Sequence, residues 1–154
     1  MNTQILSTKC LFIISVILIC CLSCKNYLTE EKHLLRYCRT NDLNIDYDST
    51  FLLIIIPCEG CISCVNIFLE FLSANYNSSA HYIFSSIYEK DFHNLTDRID
   101  TVYPNIYFDS YNLVSQNLVD FYPKVFYFSN NKLRSVIELK SENDYTKVTE
   151  LLSN

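Results

Sequence analysis

The sequence predicts an α/β domain, a central mixed sheet flanked by helices on both faces. Three observations carry this expectation. Phe51 to Ile56 is an unbroken run of six apolar residues, β-branched at its end, as in a strand buried on both sides. Amphipathic helical stretches then alternate with short strand candidates, in the order β-α-β-α-β-α-β-β-α. The last two strand candidates are joined by the polar turn Ser129-Asn130-Asn131-Lys132, which places a hairpin on one edge. With 154 residues, 49 % apolar and 19 % charged, the chain is long enough for one compact domain and too apolar to be disordered. Glycine occurs once, at Gly60, which excludes collagen-like, flexible-linker and glycine-rich phosphate-loop readings.

In chain order, Thr29-Glu30-Glu31-Lys32 starts a helix through Tyr37, with Leu34, Leu35 and Cys38 spaced for one face. Asn41 to Thr50 is rich in Asn and Asp and reads as loop. After the strand Phe51 to Ile56 and the loop Pro57 to Gly60, Cys61 to Tyr76 has helical periodicity, with Cys64, Ile67, Phe68, Phe71 and Leu72 on one face. His81 to Ser85 is the second strand. Glu89 to Asp100 is a helix carrying Phe92, Leu95 and Ile99. Ile106 to Phe108 is a short strand, and Asp109 to Val119 a helix capped by Asp109 or Ser110. Lys124 to Phe128 and Leu133 to Leu139 are the hairpin strands. Glu142 to Leu152 closes the chain as a helix with Tyr145, Val148 and Leu152 on one side.

The N-terminus differs from the rest. Lys9 precedes an apolar run, Leu11 to Leu22, that is broken only by Ser15 and is shorter than the roughly 20 residues of a membrane span. That layout is a secretory signal peptide. Its end, Cys21-Leu22-Ser23-Cys24, resembles a bacterial lipoprotein lipobox. The resemblance implies a signal over residues 1–23, lipidation at Cys24, and a location in the cell envelope outside the cytoplasm. Residues 24–50 would then link the lipid to a domain over residues 51–154. Cys20 and Cys21 are rival sites, and the alternatives are a plain signal peptide or an N-terminal anchor helix whose cysteines only fill space. Asn77-Ser78-Ser79 and Asn94-Leu95-Thr96 fit the glycan acceptor pattern but would carry nothing in a bacterial lipoprotein. From Lys25 onward 11 Lys and Arg face 17 Asp and Glu, so no nucleic-acid partner is expected.

Eight cysteines lie at positions 10, 20, 21, 24, 38, 58, 61 and 64, and none beyond, which argues against a disulfide framework spread along the fold. The segment Cys61-Ile62-Ser63-Cys64 follows a buried strand and opens a helix. Far along the chain, Tyr122-Pro123 precedes an apolar strand, a turn, a strand and a last helix. In these features, from Phe51 to Asn154, the chain resembles the thioredoxin-like thiol–disulfide oxidoreductases, and the stretch from Tyr107 through Leu133 resembles the lipid- or membrane-anchored ones of the bacterial periplasm. The resemblance implies Cys61 as nucleophile and Cys64 as resolving thiol. It also implies Pro123 in a cis bond facing the pair, and a protein thiol or disulfide as substrate or redox partner. No cofactor and no metal are implied. Gly60 would let a backbone approach the nucleophile without a side chain in the way.

The chain departs from that pattern at several places. Gly60 stands where the family has tryptophan, Ile62-Ser63 lies between the cysteines, Tyr122 precedes the proline, and the strand Phe51 to Ile56 carries no carboxylate. These departures leave a redox-inactive binding module as the alternative function. Cys58 offers a second register, Cys58-Glu59-Gly60-Cys61, and is a candidate modulating thiol. The C-x2-C-x2-C spacing also suggests a thiolate metal site, with Cys38, His33, His81 or His93 as fourth ligand. Only three ligands are adjacent, against the four a structural zinc needs. Tyr103, Tyr107, Tyr111, Tyr122 and Tyr127 are candidates for a peptide groove, against the simpler expectation that they pack on the sheet.

Overall fold

The computed structural model of the chain describes residues 28–99 and 103–153. Cys24, its rivals Cys20 and Cys21, and the apolar run before them lie outside the described residues, as does Asp100; the helix expected to run from Glu89 to Asp100 already ends at Thr96. The chain divides into two compact units after Asn41. In the first, residues 28–40 form helix α1. Leu34, Tyr37, Cys38 and Glu31 are buried on one side, and the Asn41 amide groups close the last turn on the Tyr37 carbonyl.

The second unit is a five-stranded sheet with its own helices. The strands are β1 (Thr50–Pro57), β2 (Ala80–Ser85), β3 (Ile106–Asp109), β4 (Lys124–Ser129) and β5 (Lys132–Glu138). Their order is β3-β2-β1-β4-β5, with β1, β2 and β3 parallel and β4 and β5 antiparallel to their neighbours. All of β1 beyond Thr50 is buried, as its unbroken apolar run predicts for the middle strand of a covered sheet. Helix α2 (Ile62–Asn75) sets Val65, Phe68, Leu69 and Leu72 against Leu52, Ile54 and Ile56 of β1 and Ala80, Tyr82 and Phe84 of β2. Helix α3 (Glu89–Thr96) adds Phe92 and Leu95 to this core, and α5 (Glu142–Leu152) adds Tyr145 and Val148. Each β-branched or aromatic side chain buried here is worth about 1.5–3 kcal/mol of transfer free energy. On the other sheet face, Phe51 stacks on Phe128 with ring centroids 4.8 Å apart.

The hairpin turn takes left-handed backbone at Asn130 (φ 52°) and Asn131 (φ 58°), the conformation that a tight two-residue turn demands and asparagine tolerates. The expected helix from Asp109 to Val119 is reduced to α4 (Asn112–Ser115). Left-handed residues bracket it, Tyr111 at φ 62° and Asn117 at φ 57°, and a helix cannot run through either. Its N-cap is Tyr111, with Asp109 nevertheless satisfying the Leu113 N–H through its carboxylate at 3.0 Å. In α5 the Asp144 carboxylate accepts from the Ser141 N–H and hydroxyl, and the hydroxyl bond, with the Lys147 ammonium beside it, holds its pKa down.

The expected cis bond at Pro123 is corrected: no peptide among the described residues is cis, so Tyr122–Pro123 is trans. The trans form is intrinsically favoured for X–Pro. Here the flanking carbonyls already have partners in that geometry: Phe121 accepts from the Cys61 N–H at 3.1 Å, and Pro123 from the Leu139 N–H at 2.8 Å.

Candidate redox site

β1 ends at Pro57, and the chain turns through Cys58, Glu59 and Gly60 into α2. The turn is closed by the Gly60 N–H on the Pro57 carbonyl at 3.1 Å. Cys61 is the N-cap of α2, in extended conformation (φ −71°, ψ 104°). Its Sγ accepts the Cys64 N–H at 3.3 Å and stands 3.1 Å from the Ser63 hydroxyl. Cys61 and Cys64 form a disulfide with Cα atoms 5.1 Å apart. On reduction, Cys61 Sγ would sit at the positive end of the helix, where a free N–H and the dipole favour a thiolate.

Two neighbouring segments are fastened to this turn. The Phe121 carbonyl is one: a β-carbon at Gly60 would collide with it and stand 3.1 Å from the Pro57 carbonyl oxygen. The second runs from Ser86 to Tyr88. Glu59 Oε1 accepts from the Ser86 hydroxyl and the Ile87 N–H, both at 2.6 Å, and Ser86 Oγ in turn accepts from the Tyr88 N–H at 3.1 Å. Among the described residues six large apolar side chains are exposed. Three of them, Ile87, Tyr88 and Phe121, lie on these two segments, and a fourth, Ile62, follows Cys61 directly, so exposed apolar surface gathers beside the disulfide.

Cys58 is a free thiol that donates to the Ile56 carbonyl at 3.8 Å and packs on the core under α2. Burial, with the charges of Glu59 and Asp91, pushes its pKa up to about 12. It borders a cavity of about 200 Å³ lined also by Ile62, Val65, Asp91, Leu95 and Arg98. Cys38 is likewise free and buried, and burial raises its pKa to about 12. His81 is buried on β2 between the Phe51 and Tyr107 rings, and burial lowers its pKa. His93 pairs with Glu89 at 3.8 Å on the surface of α3. Among the described residues no group of three or more His, Cys, Asp or Glu side chains is placed to hold a metal ion.

The five candidate groove tyrosines have separate surroundings. Tyr103 stacks on Tyr76 at 3.7 Å, Tyr107 lies over His81, Tyr122 lies beneath the Lys140 ammonium, and Tyr127 packs on the core. Tyr111 supplies the left-handed N-cap of α4. Pro123 is buried at the start of β4, and it is the carbonyl two residues before it that touches the cysteine turn. Sequence reasoning passed over Glu59, Ser63 and Phe121. Glu59 had one available signal, an acid beside the chain's only glycine. Phe121 acts through its backbone, which leaves no mark in residue type.

No family model and no curated protein matches the chain. Similar solved structures include a putative thiol:disulfide interchange protein, DsbE, from Chlorobium tepidum. It is 14 % identical, with 70 % of this chain and 80 % of that one covered, at a TM-score of 0.49. A thioredoxin domain of a thiol-disulfide oxidoreductase from Bacteroides vulgatus is 13 % identical over 73 % of this chain and 83 % of that one, at 0.46. StoA from Bacillus subtilis is 13 % identical over 68 % and 83 %, at 0.47. By the order, directions and connections of its strands, with a cysteine pair opening the helix after β1, the domain has a thioredoxin-like α/β fold.

Proposed function

We propose that the chain is a thiol–disulfide exchange protein, held to a membrane outside the cytoplasm through a lipid on Cys24. The observation that carries the redox reading is Cys61 Sγ, at the N-cap of α2, bonded to Cys64 and accepting its N–H. In the reduced protein the Cys61 thiolate attacks one sulfur of a substrate disulfide, and the other substrate sulfur leaves as thiolate. Cys64 then loses its proton and attacks Cys61 Sγ, expelling the substrate's second thiolate. Two electrons have passed to the substrate, and Cys61–Cys64 is a disulfide again. Run backwards, the same steps oxidise a substrate dithiol. The Ser63 hydroxyl, 3.1 Å away, donates to the Cys61 thiolate during the wait for substrate. The exposed Ile62, Ile87, Tyr88 and Phe121 favour a protein substrate over a small polar thiol. Pro123 supports that rim by fixing the start of β4. Cys58, kept protonated by burial, stays out of the exchange.

A Cys64→Ser chain, which cannot resolve the mixed disulfide, tests this. It should accumulate partners joined through Cys61, and in the reduced wild-type protein an alkylating reagent near neutral pH should label Cys61 while Cys58 stays unlabelled. Absence of any adduct at Cys61 in folded protein, with the chain's role intact in a Cys61→Ser variant, would leave the non-catalytic binding module as the function.

A further inference from the structure

Charge is divided unevenly along the chain. From Cys24 to Asn41, Lys25, Lys32, Arg36 and Arg39 face only Glu30 and Glu31, a net charge of +2. From Asp42 onward seven Lys and Arg face fifteen Asp and Glu, a net charge of −8. Within α1 the three cations share one stripe, because positions four and three residues apart lie above one another on a helix. Lys32, Arg36 and Arg39 are all exposed, whereas Glu31 is buried on the other side with Leu34 and Tyr37. The apolar Leu28, also exposed, belongs to the cationic side, and Lys32, Leu35, Arg36, Arg39 and Thr40 line an open groove of about 430 Å³. A helix face of cations with an apolar flank is the composition that settles at a bilayer interface.

We infer that this face of α1 binds the anionic phospholipid headgroups of the membrane that carries the anchor. The inference rests on the anchoring proposed above for its distance argument. Leu28 follows Cys24 by four positions, at most about 14 Å of extended chain, so α1 begins close to the bilayer. The surface potential of an anionic bilayer reaches about 8–10 Å at physiological salt. The net charge of the domain from Asp42 onward is repelled by the same surface, whereas the exposed face of α1 carries the opposite sign. Each Lys or Arg near such a surface strengthens binding about fivefold, so the three together supply on the order of a hundredfold.

The test uses the full chain, bound to vesicles and transferred to an excess of empty phosphatidylcholine vesicles. Transfer from vesicles containing phosphatidylglycerol should be about a hundredfold slower than from phosphatidylcholine alone, with the difference vanishing at high salt. Lys32→Gln, Arg36→Gln and Arg39→Gln combined should abolish the difference. Arg36→Gln alone, a milder change if the triple variant misfolds, should speed transfer about fivefold. Equal rates from the two vesicle types, or a folded triple variant that keeps the slow transfer, would overturn the inference. Failure of the anchor is read separately, as failure to remain on phosphatidylcholine vesicles. In that case direct binding to phosphatidylglycerol vesicles still reports on α1, and its absence refutes the inference.

Discussion

Gly60 has no positive φ, so its requirement is space and not conformational freedom. The space is taken by the Phe121 carbonyl, which also receives the Cys61 N–H. Gly60→Ala therefore has to push one backbone away from another. We expect a loss of about 1–3 kcal/mol in urea unfolding, the usual cost of overpacking, together with faster alkylation of reduced Cys61 as its N–H bond loosens. Unchanged stability would show that the two segments separate freely. At this scale the sequence was informative wherever chemistry resides in side chains. The Cys61/Cys64 spacing and the isolated glycine pointed to the turn. The partners of the turn were hidden, because a carbonyl oxygen has no letter, and because Glu59 finds Ser86 and Ile87 across 27 and 28 residues.

Among the elements, those with a strong period or a marked turn were read to within a residue or two. β1, α2, the Asn130-Asn131 hairpin and α5 are of this kind. The stretch from Asp109 to Val119 has helical spacing too, yet only four of its residues are helical. There two left-handed residues and the demand of the buried Asp109 carboxylate for Ser85, Asn112 and Leu113 donors outweigh local propensity. Helix α5 offers a test of packing against polarity. Tyr145 lies 5.2 Å from the Phe71 ring, and its buried hydroxyl has no hydrogen-bond partner among the described residues. Tyr145→Phe keeps the ring and removes the unpaired group. Thermal or urea unfolding should show stability unchanged or raised by about 1 kcal/mol, and a marked loss would reveal a partner for that oxygen.

For the whole molecule, acid should weaken the fold in two stages. His81 has a folded pKa below its ordinary 6.5 because it is buried. As pH falls below that value the unfolded chain takes the proton first, so stability drops until the folded pKa is reached. Asp144, also depressed, contributes stability that is present above the ordinary carboxyl value of 3.8 and lost as pH falls below it. Urea unfolding from pH 7 to pH 3 should show both steps, and His81→Phe should flatten the upper one alone. An upper step that survives this change would assign it elsewhere. The strand order itself was not legible from the linear sequence, which specifies which segments are buried and leaves their neighbours to be settled by register and connection. That order leaves β3 and β5 as the two rims of the sheet, where a neighbouring molecule would add a strand. β5 presents Lys132 and Arg134, and β3 stops after four residues at a carboxylate turned inward. Short length and charge are the devices by which sheets refuse extension. If copies are tethered side by side on a membrane as proposed, these rims would keep a β-rich domain from polymerising.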